Sequence, residues 1–339
     1  MSRQFLRRLW FASMILSLLA GCTTIKTSET TILPYTPQPL PALEGTPGQY
    51  SGLAWLDQGL VVQANVAGAP SGFRLFWVQQ SMDLSDLIPI PDAPDADLTF
   101  HHRPDRLPDG RLGLIYETDM KVIGAPTDQQ GYVAFDPTNN SLTELIPRPA
   151  PREILGHGRV SWNPSLDRAL VTDGQELGSR FYWWTATAGF EPLDLDVAVA
   201  QYFAWSPDGT TIAFFGKPQI GSAGPTSALS SPANLYLMDA NADNRRIILE
   251  TAYNIAGLQW SPDGHWLVLV ARLDGGRTVV WLLNPTTGER LPLTPPGRYQ
   301  WPAWSPDGSQ IAVIAYDPKN TGQRGNDYII TLAVPPKAR

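Results

Sequence analysis

The residue types that most often carry chemistry are sparse in this 339-residue chain. Its four histidines are His101, His102, His157 and His265, and its single cysteine is Cys22. No His-Glu-x-x-His occurs, and one thiol cannot build a thiolate metal site. His101-His102 reads as part of a polar loop beside Arg103 and Asp105. Neighbouring residues of a strand would point to opposite faces, so the pair is not expected to share a ligand. His265 follows a turn glycine and is expected to face solvent. Asp92, Asp95 and Asp97 crowd one Pro-rich loop where carboxylates could take a hard cation. The full EF-hand pattern is absent, and a solvated loop is the expectation. Trp183-Trp184 could stack a sugar, but one ring of such a pair must face each side of a strand, which suits core packing better. Gly156-His157-Gly158 is too short for a dinucleotide fingerprint, and Gly216-Lys217-Pro218 is not a phosphate loop. No Gly-x-Ser-x-Gly elbow is present. No catalytic residue, no metal site and no cofactor is expected.

Cys22 is better explained by its surroundings. Arg3, Arg7 and Arg8 form a positive start, and Leu9 to Ala20 is an apolar run of 12 residues. A membrane-crossing helix needs about 20, so this run reads as the core of a signal peptide. It ends in Leu19-Ala20-Gly21-Cys22, which resembles the bacterial lipobox. That resemblance implies a signal peptide over 1–21 and acylation of Cys22 as the new N-terminus, with the membrane as a partner through those acyl groups. Two or three acyl chains meet the requirement for stable anchoring. Thr23 rather than Asp follows. In a two-membrane cell this resembles sorting to the periplasmic face of the outer membrane. In a one-membrane cell it places the protein on the outer leaflet of the cytoplasmic membrane. Residues 22–48 read as a tether, because Pro34, Pro37, Pro39, Pro41 and Pro47 exclude a helix.

The whole chain carries a formal charge of −7. Residues 1–21 hold three of its 25 basic residues and no acid, so the rest carries 22 basic and 32 acidic residues, a charge of −10. Such a balance excludes nucleic acid as a partner, since no basic patch would neutralise phosphates. Hydrophobic residues make up 43% and charged residues 17%, enough for a large core.

The elements that would position any site come from a repeat. Trp-Ser-Pro-Asp-Gly occurs at Trp205–Gly209, Trp260–Gly264 and Trp304–Gly308, each time followed by an apolar strand. Pro presets φ for the second position of a type I turn, Asp tolerates the third, and Gly takes the left-handed conformation that follows. Worn copies lie upstream. Trp162-Asn163-Pro164 has a longer turn, Arg106-Leu107-Pro108-Asp109-Gly110 lacks the Trp, and Trp55-Leu56-Asp57-Gln58-Gly59 lacks the Pro. The positions 55, 106, 162, 205, 260 and 304 are separated by 51, 56, 43, 55 and 44 residues, close to the 40–50 or so of a propeller blade. Between them lie hairpins such as Val279–Leu283 into Arg290–Leu293. The fold is therefore expected to be an all-β propeller of six blades, each of four antiparallel strands, over residues 49–339. The sixth repeat has material for only three strands. Closed rings often complete the last blade from the other terminus, and Thr31-Ile32-Leu33 in the tether is the expected source. The repeated Asp208, Asp263 and Asp307 are expected to hold turn amides, and the Trp residues to pack between blades.

These units, with Ile-Ala-Phe or its like after each turn, resemble the WD40-like (PD40) repeats of the TolB family of propellers. The resemblance covers roughly residues 50 to 335 and implies a scaffold that binds an envelope protein or peptide without catalysis. Two departures, the missing separate N-terminal domain and the lipidation signal, put the family's specific partners in doubt. The alternative is a small-ligand or glycan binder, or a glycan-active enzyme, that uses the channel mouth. A ring of acids with aromatics there would favour it, whereas an apolar or loop-lined mouth favours the scaffold. Specificity is expected where the repeat is broken, in the long Gly216–Asn234 insertion, in Asp317–Asp327 and in the irregular first blades.

Overall fold

A computed structural model of the chain describes residues 38–39, 49–65, 73–78, 84–87, 96–120, 128–155, 159–173, 180–218, 233–250, 255–273, 276–316 and 327–338. After a short strand β1 (Gln38–Pro39), blade 1 is built from β2 (Gln49–Leu56), β3 (Gly59–Asn65), β4 (Phe73–Val78) and β5 (Leu84–Leu87). Blade 2 holds β6 (Ala96–Arg106), β7 (Leu112–Met120), β8 (Asp128–Asp136) and β9 (Ser141–Ala150). Blade 3 holds β10 (Arg159–Trp162), β11 (Arg168–Thr172), β12 (Phe181–Thr185) and β13 (Gly189–Leu193). Blade 4 holds β14 (Val197–Trp205), β15 (Thr211–Pro218), β16 (Asn234–Asp239) and β17 (Arg246–Glu250). Blade 5 holds β18 (Ile255–Trp260), β19 (Leu267–Arg272), β20 (Thr278–Leu283) and β21 (Arg290–Pro292). Blade 6 holds β22 (Tyr299–Trp304), β23 (Gln310–Tyr316) and β24 (Asp327–Ala333). Each blade is a four-stranded antiparallel meander, and β1 completes the sixth in the order β1-β24-β23-β22.

Period-2 alternation explains why the blades form a ring. In β11, Ala169 and Val171 pack with blade 2 while Leu170 packs with blade 4. In β23, Ile311, Val313 and Ala315 face blade 5, and Ala312 and Ile314 face blade 1. Both faces of the second strands are thus apolar because both are covered. The buried residues fall into six clusters, each shared by two neighbouring blades, and the cluster joining blades 6 and 1 closes the circle. Each Leu, Ile or Val so buried contributes about 1.5–3 kcal/mol.

The Trp-Ser-Pro-Asp-Gly turn does three jobs. Gly209, Gly264 and Gly308 donate their amides to the carbonyls of Ser206, Ser261 and Ser305 at 2.9 Å, and all three take positive φ near +70° (71°, 72° and 69°). The Asp locks the turn. Asp307 Oδ1 accepts from Ser305 Oγ at 2.6 Å and from the Ser309 amide at 3.0 Å, and Ser305 Oγ accepts the Gln310 amide. Asp208 and Asp263 repeat the pattern, as the sequence led one to expect. The third job is between blades. Trp205 Nε1 donates to the Ser161 carbonyl of blade 3 at 3.1 Å, and Trp260 Nε1 to the Ala204 carbonyl of blade 4 at 2.9 Å. The turn glycine of one blade also receives the turn proline of the blade before it. A Cβ on Gly209 would lie 3.1 Å from Pro164 Cδ, and one on Gly264 would lie 3.4 Å from Pro207 Cδ.

The closing strand is β1, Gln38–Pro39, from the segment read as a tether. Thr31-Ile32-Leu33 lies outside the described residues. The pairing is Gln38 with Thr331 and Pro39 with Ile330. The outermost strand of a blade has no neighbouring sheet to bury it, so it selects weakly for apolar residues. Most of β13 and β17 is likewise exposed or half-buried. Proline is tolerated at such an edge, where its missing N–H removes no ladder bond.

Candidate functional site

The innermost strands β2, β6, β10, β14, β18 and β22 line the central channel. Counting three residues back from the Trp position of each repeat gives Gly52, Arg103, Arg159, Tyr202, Gly257 and Trp301. In β2, β6, β14, β18 and β22 the register slips here, between Tyr50 and Gly52, His102 and Asp105, Gln201 and Ala204, Ile255 and Leu258, and Gln300 and Ala303. Arg103, Tyr202 and Trp301 take the left-handed conformation, with φ of 57°, 56° and 55°. That conformation costs a non-glycine residue about 1–3 kcal/mol, and bulges of this kind re-aim a side chain. Here they turn Arg103, Tyr202 and Trp301 toward the channel, whereas β10 carries Arg159 there without a slip.

The six residues are not alike, and the two glycines explain the packing. A Cβ on Gly52 would lie 2.9 Å from Pro104 Cδ of the next blade, and one on Gly257 would overlap Pro302. The space that side chains at Gly52 and Gly257 would fill is thus taken by Pro104 and Pro302 of the following blades. Arg159 of blade 3 reaches across the channel to blade 6 as well as toward blade 4. Its guanidinium carbon sits 4.4 Å from the ring centre of Tyr202 and 4.6 Å from that of Trp301. Three blades thereby meet around one cation.

From this layer a cavity of about 390 Å³ extends to the Trp-Ser-Pro turns, where Pro108, Pro164, Pro207, Pro262 and Pro306 form its rim. Its one carboxylate among the described lining residues is Asp105. The residue is exposed and opens onto the cavity. Loss of bulk solvation pushes its pKa up to about 6, against the opposing pull of the Arg159 charge and the Arg106 amide. Arg103 is brought down to about 10, first by burial and then by the like charge of Arg159. Tyr132, behind Asp105, is pushed well up by burial and by the Asp105 charge.

The residues singled out in the sequence are dispersed. His101 and His102 are not in a loop but in β6, paired with Tyr116 and Ile115. The local polarity that suggested a loop belongs to a channel-lining strand. Asp92, Asp95 and His157 lie outside the described residues, as does Cys22, and Asp97 falls in β6. His265 is exposed. Trp183 and Trp184 are core residues facing opposite neighbours, Trp183 toward blade 4 and Trp184 toward blade 2. Of the long insertions, 219–232 and 317–326 lie outside the described residues. Sequence reasoning passed over Arg159, Tyr202 and Trp301, and treated Arg103 and Asp105 only as surroundings of the histidines. Aligning the six repeats leftward from the Trp would have put three of them, with Arg103, in one column.

No protein-family model matches the chain. A stretch of 85 residues is 38% identical to the Tol-Pal system protein TolB of Alcanivorax borkumensis, covering 24% of this chain and 20% of that protein. The chain thus spans about one fifth of the length of the curated relative it matches. Among solved structures, TolB from Agrobacterium tumefaciens aligns over 74% of this chain and 94% of its own at 14% identity, with a TM-score of 0.49. An oligogalacturonate lyase from Vibrio parahaemolyticus aligns over 85% of this chain and 90% of its own at 14% identity, with a TM-score of 0.47. No activity is carried over from either structure.

Proposed function

We propose that this TolB-like β-propeller is a lipid-anchored, non-enzymatic scaffold of the cell envelope that binds a protein or peptide at the mouth of its channel. The observation that supports it most is the rim. Five turn prolines form a collar at one end of a cavity of about 390 Å³, and the aspartates beside three of them, Asp208, Asp263 and Asp307, are taken up by hydrogen bonds within their own turns. Such a collar suits a peptide or a loop of a partner, which buries apolar surface against it and reaches polar groups deeper in. The lipobox-like Leu19-Ala20-Gly21-Cys22 supports export and anchoring through Cys22, and the 85-residue likeness to a Tol-Pal system protein supports an envelope setting.

The glycan reading ranks second. It would use Tyr202 and Trp301 as stacking platforms, but each already carries the Arg159 guanidinium over its ring. Crosslinking in intact envelopes followed by recovery of the chain tests the proposal. A partner whose crosslinks map to the proline rim supports it. Recovery of no partner, together with saturable binding on a sugar array, overturns it.

A further inference from the structure

We propose that the channel is a carboxylate site, in which the guanidinium edge of Arg159 takes a carboxylate of an acidic peptide entering from the proline rim. The inference rests on the peptide-binding reading and names what the partner must carry.

Guanidinium offers five N–H donors and no acceptor, all in its own plane. The rings of Tyr202 and Trp301 meet Arg159 through their faces, at 4.4 and 4.6 Å. Contact with two ring faces restricts the group, and the guanidinium fork suits a two-pronged bond to a carboxylate. Among the described residues Arg159 makes neither an ion pair nor a side-chain hydrogen bond. Its side chain is half-buried, so those donors are drawn partly out of water and gain from an acceptor. The adjoining cavity, about 390 Å³, falls within the usual range for ligand sites of about 300–1,000 Å³. A bound peptide therefore has room as well as a charge to meet. A second cation, Arg103, occupies the same column one blade earlier.

Asp105 sets a pH dependence. The charged and titratable groups that act on it or on its neighbours are Arg159 from β10, Arg103 and Arg106 from its own strand, and Tyr132 from β8. As an anion it repels an incoming carboxylate and competes for the field of Arg159. As pH falls below about 6 it becomes neutral, so carboxylate binding tightens while the ligand itself stays ionised. By linkage, the bound ligand raises the Asp105 pKa in turn.

The test uses the full-length chain in detergent and three synthetic pentapeptides of one apolar, proline-containing sequence, followed by fluorescence polarisation. One has a free C-terminus, one is amidated with an internal aspartate, and one is amidated with no carboxylate. Saturable binding of either of the first two but not the third is expected, and which of them binds separates a chain end from an acidic side chain. Arg159→Gln is expected to weaken that binding tenfold or more and Arg159→Lys to retain part of it. Arg290→Gln in β21, the outermost strand of blade 5, should change nothing. Equal binding of all three peptides, or unchanged affinity in Arg159→Gln, overturns the proposal. So does failure of any peptide to bind. If crosslinks still recover a partner at the rim, the scaffold reading stands without the carboxylate. Should Arg159→Gln fail to fold, the arginine Nε–H resonances of the native chain decide. One must shift with the carboxylate peptide and not with its amide, and no shift counts against the site.

Discussion

Arg106 reaches back from blade 2 to place Nη2 3.1 Å from Oδ1 of Asp57 in blade 1. The pair occupies the places that Trp and Pro hold at the later blade boundaries, since Arg106 stands at the Trp position and Asp57 at the Pro position. The glycine survives too, because a Cβ on Gly110 would lie 3.4 Å from Asp57 Oδ2. An ion pair thus stands at this boundary where Trp205 and Trp260 give Nε1 hydrogen bonds to carbonyls of the preceding blade. The Asp57 side chain is 63% exposed, so a double-mutant cycle of Asp57→Ala and Arg106→Ala is expected to give a coupling of about 0.2–1 kcal/mol. It should shrink in 1 M salt, about where the screening length falls to 3 Å. A coupling above that range that salt does not alter would contradict this account.

Two glycine substitutions separate backbone strain from blade packing. Gly209 and Gly288 have φ of +71° and +75°, but a Cβ meets Pro164 at 3.1 Å in the first and nothing within 4 Å in the second. Gly288→Ala is expected to cost about 1–2 kcal/mol from backbone conformation alone. Gly209→Ala adds overpacking of about 1 kcal/mol or more. Denaturant unfolding of both variants measures the difference, and equal losses would show that the proline contact contributes nothing.

The turn carboxylates of Asp208 and Asp307 should titrate low. Hydrogen bonds from Ser305 Oγ, the Ser309 amide and Ser309 Oγ hold Asp307 down at about 2. A depressed folded value means that the stability linked to this group is present above the unfolded pKa of about 3.9 and is lost as pH falls through about 2. NMR titration of the Asp307 carboxyl should find this value, and Ser305→Ala should move it upward. A titration near 3.9 in the native chain would be the contrary result.

Removing residues up to 34 should leave the melting temperature unchanged, whereas removing residues up to 46 deletes β1 and should lower it. Amide exchange in β24 should rise in the longer truncation alone. Identical melting of both truncations would mean that β1 does not hold the sixth blade.

Cys22→Ser is expected to abolish acylation, shown by mass spectrometry of the N-terminal peptide, and to move the chain from the membrane to the soluble fraction. An unacylated Cys22 in the native protein would refute the anchor.

The ring was legible because its turns repeat both residue type and spacing. Trp, Pro, Asp and Gly each meet the same demand in blades 4 to 6, and even the worn copies at 55, 106 and 162 kept enough of it to be counted. The candidate site was illegible for the opposite reason. Gly52, Arg103, Arg159, Tyr202, Gly257 and Trp301 share a position but no residue type, and up to 56 residues separate successive members. Only closure of the ring brings Arg159 against Trp301, and no local pattern records that distance. The closing strand was half legible. The shortfall of the sixth repeat announced it, but an edge strand selects weakly for side chains, so Gln38-Pro39 carried no signal of its own.

β1 also has a mechanical meaning. It lies between the N-terminal segment and the first complete blade, and it joins the ring through two register pairs, Gln38 with Thr331 and Pro39 with Ile330. Tension applied upstream of Gln38 loads those two pairs first, before any interior strand. In a force-extension experiment on the chain held at both ends, β1 should detach as a small first event at low force. The remaining strands should yield later, so that this seam acts as a fuse between whatever holds the N-terminus and the propeller.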